Sequence, residues 1–68
     1  MQLTLESDQE SDGLWLAEVP EIPGALAYGV TRAAAMAKAE ALALRALAEL
    51  LEHGEATPMA IHLLLAAE

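Results

Sequence analysis

Residues 14–31 read LWLAEVPEIPGALAYGVT, and this stretch decides the fold. Residues 14–19 carry apolar side chains on both sides of an extended backbone, which predicts a strand that is covered on both faces. Pro20 and Pro23 cannot continue the ladder of a central strand, and Gly24 suits a turn with positive φ. The stretch therefore predicts a strand that ends in a sharp turn.

A second strand and the start of a helix complete the stretch. Residues 25–30 alternate large and small side chains, with Leu26, Tyr28 and Val30 on one face and Ala25, Ala27 and Gly29 on the other. Thr31 is a good N-cap residue, because its hydroxyl can accept a hydrogen bond from the first turn of a helix.

The segment from Arg32 to His53 predicts one long helix, because it contains no proline or glycine and is rich in alanine and leucine. Gly54 stands where a C-terminal glycine would end the helix, and His53 would complement the helix dipole. At 100° per residue, the predicted sheet-facing stripe consists of Met36, Ala39, Ala43, Leu47 and Leu50, widened by Leu44 and Leu51.

The ends of the chain add one strand each. Residues 2–6 alternate and predict a first strand, followed by a polar, acidic turn over 7–13. Residues 59–65 form a last apolar run that we interpret as a strand. The predicted fold is therefore α+β in the order βββαβ: a three-stranded antiparallel sheet, one long helix packed on it, and a short final strand, all in a single domain covering residues 1–68.

The composition indicates that this chain needs a partner. Its 68 residues are 56% apolar and include no cysteine, so disulfides cannot supplement a small core. Part of this apolar surface should then face another chain, and we expect a homo-oligomer. Its interface would use Ala37 and Ala41, which lie on the alanine flank of the helix, and Leu42, an apolar residue that falls among polar ones.

The charge narrows the choice of partner. Eleven acids and three bases give a net charge of −8, and residues 1–31 hold six of the acids and no base. This balance argues against nucleic acid or an anionic membrane and favours a basic protein. No apolar run is long enough to span a membrane, and the N-terminus does not resemble a signal peptide, so we expect a cytoplasmic protein.

Residues with chemical potential are few. His62, in the final strand, has no spacing that would pair it with a nucleophile, and two histidines are too few for a typical zinc site. We therefore expect no catalytic residue, no metal site and no cofactor. Trp15 is the single tryptophan and is either a core residue or an aromatic anchor for a partner.

The stretch around Trp15 resembles the HicB-like antitoxin family. The matching residues are Trp15, the run from Ala17 to Pro20, Ile22-Pro23-Gly24, and then Gly29 and Thr31 before the helix. The resemblance implies a partial RNase H-like fold and binding to a HicA-type toxin, a small basic ribonuclease whose RNA-binding surface the antitoxin covers. Longer members add a DNA-binding domain; this chain ends at Glu68, so we expect a stand-alone N-terminal domain without direct nucleic-acid binding.

Our first hypothesis is accordingly an antitoxin or an antitoxin-derived binding module, and not an enzyme. The acids Glu10, Asp12, Glu18 and Glu21 would provide the electrostatic contact, and Trp15 with Leu64 the apolar contact. Two alternatives stay open. One is a solitary homo-oligomer with a structural or ligand-binding role and no toxin; the other is a residual RNase H-like hydrolase, which would need clustered carboxylates.

Overall fold

The computed structural model describes residues 1–58 and 61–65, with the side chains of 63–65 left aside. Four strands and one helix follow in the predicted order βββαβ. Their bounds are β1 Gln2–Gln9, β2 Trp15–Glu18, β3 Leu26–Gly29, α1 Arg32–Glu52 and β4 His62–Leu65. Within the described part of the chain, no helix is long and apolar enough to cross a membrane.

The four strands form one sheet in the order β3-β2-β1-β4. The pairs β1–β2 and β2–β3 are antiparallel, which confirms the predicted three-stranded antiparallel unit. The final strand adds to the free side of β1 in parallel, with Leu3 opposite Leu63. β3 and β4 are therefore the two edge strands.

The first strand is three residues longer than the prediction of 2–6. Ser7, Asp8 and Gln9 continue the ladder and pair with Ala17, Leu16 and Trp15. Ser7 is buried on the helix side, where its Oγ accepts a hydrogen bond from Arg32 Nε at 2.8 Å. A polar residue therefore stays in the strand because the helix supplies its hydrogen-bond donor.

Both ends of α1 are capped as the sequence predicts. The Thr31 hydroxyl accepts from the Ala34 N–H at 3.1 Å. At the other end, Glu55 N–H donates to the Leu50 carbonyl and Gly54 N–H to the Leu51 carbonyl, the two bonds of a Schellman motif. Gly54 has φ +71°, a conformation that costs glycine little.

The core is small and lies between α1 and one face of the sheet. Among the described side chains it contains few large ones, and Leu3 and Val19 are the largest that are completely buried. Three of the four buried helix residues are alanines, Ala35, Ala39 and Ala43, and the fourth is Leu47. Small residues on both sides allow the helix and the sheet to approach each other closely.

Gly29 marks the point of closest approach. A Cβ atom at this position would lie 2.5 Å from the backbone nitrogen of Ala35. No flexible side chain could move aside there, because the neighbouring atoms belong to the helix backbone. The start of α1 therefore lies directly above the edge strand β3.

This close approach corrects the predicted helix stripe. Ala39, Ala43 and Leu47 are buried as expected, but Ala35 replaces Met36, which is only half-buried. Leu44, Leu50 and Leu51 are exposed, so the expectation that they lie on the sheet was wrong. The alanines lie where the helix touches the sheet, and the bulkier leucines lie along the helix flanks.

Candidate interaction surface

The helix covers one face of the sheet, and the other face is open among the described residues. We call this second face the open face. On β3 it carries Leu26 and Tyr28, each about half exposed at 48% and 49%. The prediction that β2 is covered on both faces is therefore wrong for the single chain: Ala17 and Val19 are buried, whereas Leu14 is exposed and Leu16 half-exposed.

The strand register arranges the open face into rows. One row runs from Asp8 through Leu16 to Tyr28, and the next from Glu6 through Glu18 to Leu26. Each row is acidic on β1 and apolar on β3. The open face is therefore divided into an acidic half and an apolar half that lie side by side.

Two carboxylates face each other within the acidic half. Glu6 and Glu18 are direct partners in the β1–β2 register, and both are exposed. Like charges directly opposite on a sheet destabilise it. Neither strand offers a base in compensation, because residues 1–31 contain none. A cationic group from another molecule would remove this repulsion.

Trp15 lies on the opposite face from Glu18. It is half-buried and packs against the core beneath the helix, opposite Gly29 in the register. A partner that docks on the open face would therefore contact Glu18 but would not cover the tryptophan ring. The interpretation of Trp15 as an aromatic anchor stays a prediction, and its packing favours a core role.

Asp12 and Glu10 lie in the turn between β1 and β2. Asp12 Oδ1 accepts a hydrogen bond from the Leu14 N–H at 3.0 Å, and Gln9 Nε2 donates to the Gly13 carbonyl at 3.1 Å. The Glu10 backbone closes the turn through its N–H to the Leu14 carbonyl at 2.7 Å. The Asp12 carboxylate therefore stabilises the turn as well as carrying charge.

Glu21 joins the proline-containing turn to β1. Its Oε1 accepts from the Thr4 N–H at 2.9 Å and its Oε2 from the Thr4 hydroxyl at 2.7 Å. Extending the β1–β2 register by two pairs beyond Glu6–Glu18 would place Thr4 opposite Pro20, past the end of the ladder, and the Glu21 carboxylate accepts the Thr4 N–H there instead. These hydrogen bonds lower the pKa of Glu21 below its ordinary 4.5, the Thr4 N–H contributing most. Both oxygens of this predicted partner-binding acid are thus used within the chain.

The predicted oligomer residues lie together beside β3. Ala37, Ala41 and Leu42 line a groove of about 430 Å³ between the helix and Ala27, with Lys38 and Arg45 at its rim. Lys38 Nζ donates to the Tyr28 carbonyl at 3.3 Å, on the outer edge of β3. None of the described carboxylates lines this groove, although the chain as a whole is strongly acidic.

The remaining predicted residues offer little chemistry. His62 is exposed on β4, and His53 is the C-cap of α1. Among the described residues, no group of three or more histidine and acidic side chains could hold a metal ion. Leu64 pairs with Thr4 through the backbone, but its side chain is outside the described part.

Sequence reasoning missed Glu6, Asp8, Leu16 and Tyr28 as members of the same surface. The alternation of β1 indicates that Glu6 and Asp8 share a face, and that of β3 predicts the face of Tyr28. The sequence does not indicate which face of β2 the helix covers, because both faces of β2 are apolar.

A scan of protein-family models and searches of curated proteins and of solved structures find no match to this chain.

Proposed function

We propose that this chain is a HicB-like antitoxin, or a binding module derived from one, that docks a small basic protein on its open face. The observation that carries this proposal is the arrangement of Glu6, Asp8 and Glu18 beside Leu16 and Tyr28. Such a surface offers carboxylates to lysines and arginines and apolar area to the aliphatic parts of the partner.

The mechanism is coverage of a surface and involves no chemistry by this chain. A HicA-type toxin uses a basic surface to bind RNA, and the acidic half of the open face would compete for that surface. The exposed apolar half would exclude water at the contact, where charge pairs then become stronger. Glu18 keeps the role predicted from the sequence, and Glu6 and Asp8 replace Glu21 as its companions.

The test measures binding to a catalytically inactive HicA-type toxin by calorimetry, at low and at physiological salt. We expect binding that weakens as salt rises, and a loss of at least tenfold for the double variant Glu6→Lys/Glu18→Lys. Glu52→Lys is the matched control, because Glu52 is exposed at the end of α1, away from the open face. Equal binding by both variants, or no binding at low salt, would overturn the proposal.

The alternative, a solitary homo-oligomer without a toxin, predicts a different outcome of the same measurement. The purified chain would self-associate, yet heat of toxin binding would be absent at every salt concentration. An enzyme of the RNase H type would need a cluster of metal-binding carboxylates, and no such cluster supports it among the described residues.

A further inference from the structure

The outer edge of β3 is open to pairing with another strand. Val19 N–H donates to the Ala25 carbonyl at 2.9 Å, so residues 25, 27 and 29 direct their backbone groups towards β2. Leu26 and Tyr28 consequently direct theirs away from it, which agrees with the contact between Lys38 Nζ and the Tyr28 carbonyl. The Tyr28 N–H and the Leu26 carbonyl thus face the open edge, where a further strand could join the ladder.

Apolar surface continues on both sides of this edge. On the open face, Leu26 and Tyr28 are about half exposed and Val30 is 81% exposed. On the helix side, the groove beside Ala27 is lined by Ala37, Ala41 and Leu42. An added strand would therefore bury apolar side chains above and below the new ladder.

We infer that the occupant of this edge is a second copy of the chain, which joins β3 to β3 in antiparallel orientation and extends the sheet to eight strands. The two copies of α1 would then lie on the same face. Since α1 begins above β3 at Gly29, the two helices would approach each other across the new strand pair. Alanines along the facing flank permit that approach.

The distribution of charge favours this edge over the other edge of the sheet. Joining β3 to β3 places the two β1 strands, which carry Glu6 and Asp8, five strand spacings or about 24 Å apart. Joining β4 to β4 would place them only three spacings or about 14 Å apart. Because the Debye length is about 8 Å at physiological salt, the first arrangement screens the repulsion between the acids of the two β1 strands far better, and leaves only Glu18 of β2 three spacings from its counterpart.

The charged residues that line the groove beside β3 are Lys38 and Arg45, both cationic. Lys38 contacts one carbonyl of the edge through a long, exposed hydrogen bond, which a backbone N–H of the second copy would replace. This dimer does not depend on the proposed function, since it is measured on the purified chain without a toxin. It would nevertheless place two open faces next to each other, with their apolar halves in the centre.

The test compares two leucines on opposite flanks of α1 by sedimentation over a dilution series. Leu42 is 37% exposed in the groove beside β3, and Leu44 is 44% exposed on the other flank. We expect a dimer of twice 7.2 kDa for the natural chain and for Leu44→Glu, and a monomer for Leu42→Glu. A monomeric natural chain, or a dimer that survives Leu42→Glu, would overturn the inference.

A second variant tests the strand pairing itself. Tyr28→Pro removes an N–H that points away from β2, so the β2–β3 ladder keeps its bonds while the outer edge loses a donor. We expect a folded monomer by circular dichroism and sedimentation, and a folded dimer contradicts the pairing. If this variant does not fold, the comparison of Leu42→Glu with Leu44→Glu decides whether the dimer forms through the β3 edge.

Cross-linking identifies the surface directly, because the chain has no cysteine of its own. We expect Tyr28→Cys to form a disulfide-linked dimer under mild oxidation and Asp8→Cys, on β1 of the same face, to remain uncrosslinked. Cross-linking of Asp8→Cys and not of Tyr28→Cys would mean that the copies associate face to face through the acidic half of the open face, and the inference would fail.

Discussion

Gly29 determines how closely the helix packs on the sheet. Any side chain there would meet the backbone of Ala35. We expect Gly29→Ala to lower the free energy of unfolding by about 3 kcal/mol, the upper part of the range for overpacked cores. Urea denaturation of the variant measures this loss.

Gly13→Ala is the matched control for that substitution. Gly13 has φ +93°, but no atom lies within 4 Å of its added Cβ, so only backbone strain of about 1 kcal/mol should appear. If both variants lose the same free energy, then the contact with Ala35 is not what requires glycine at position 29.

Glu21 makes stability depend on pH. Its pKa in the folded chain lies below the ordinary 4.5 because Thr4 donates two hydrogen bonds to the carboxylate. The stabilisation is therefore complete above the unfolded pKa and disappears as the pH falls through the lower, folded pKa. We expect the natural chain to be more stable than Glu21→Gln at pH 7, with a difference that shrinks in acid.

Chemical denaturation between neutral and acidic pH measures this difference. Thr4→Val removes the hydroxyl donor and leaves the stronger N–H contact, so it should remove only part of the pH dependence. A difference between the natural chain and Glu21→Gln that is constant with pH would contradict the role of the carboxylate.

At the scale of elements, α1 depends on its N-cap. The Thr31 hydroxyl accepts from the Ala34 N–H, and no acidic side chain in the first turn adds to that contact. We expect Thr31→Ala to cost about 1 kcal/mol of stability, in the range measured for N-cap threonines. The same substitution at Thr57, exposed in the loop after the helix, should leave the urea midpoint unchanged; equal losses would argue against the cap.

The two edge strands have different surroundings. β4 pairs with β1, which carries Glu6 and Asp8, whereas β3 lies beside the cationic groove of α1. Edge strands can pair with strands of other chains, and the charges beside an edge favour or disfavour that pairing. This asymmetry is the reason why we assign self-association to β3.

For the whole molecule, the large exposed apolar side chains agree with the expectation of surplus apolar surface. Among the residues that the structure describes, they occur on the open face, along the helix flanks and near both ends: Met1, Leu14, Leu26, Tyr28, Val30, Leu42, Leu44, Leu50, Leu51 and Ile61. A small domain has too little interior to bury them all. The open face and the β3 edge account for about half of them through the two proposed contacts.

The sequence by itself determined the order of elements, both caps of α1 and the two faces of β3. These features are local: alternation, proline and glycine positions and a capping hydroxyl act within a few residues. The elements of the candidate surface were therefore predictable, as was the charge of its acidic half.

Only the tertiary structure decided which face of β2 is covered, which helix residues touch the sheet and that the Glu21 carboxylate accepts hydrogen bonds from Thr4. Both faces of β2 are apolar, so periodicity cannot choose between them. The choice follows from Gly29, which lets the helix approach the face with small residues and leaves Leu16 and Glu18 on the other. Packing distance is a property of two elements together, and a local pattern in one of them does not contain it.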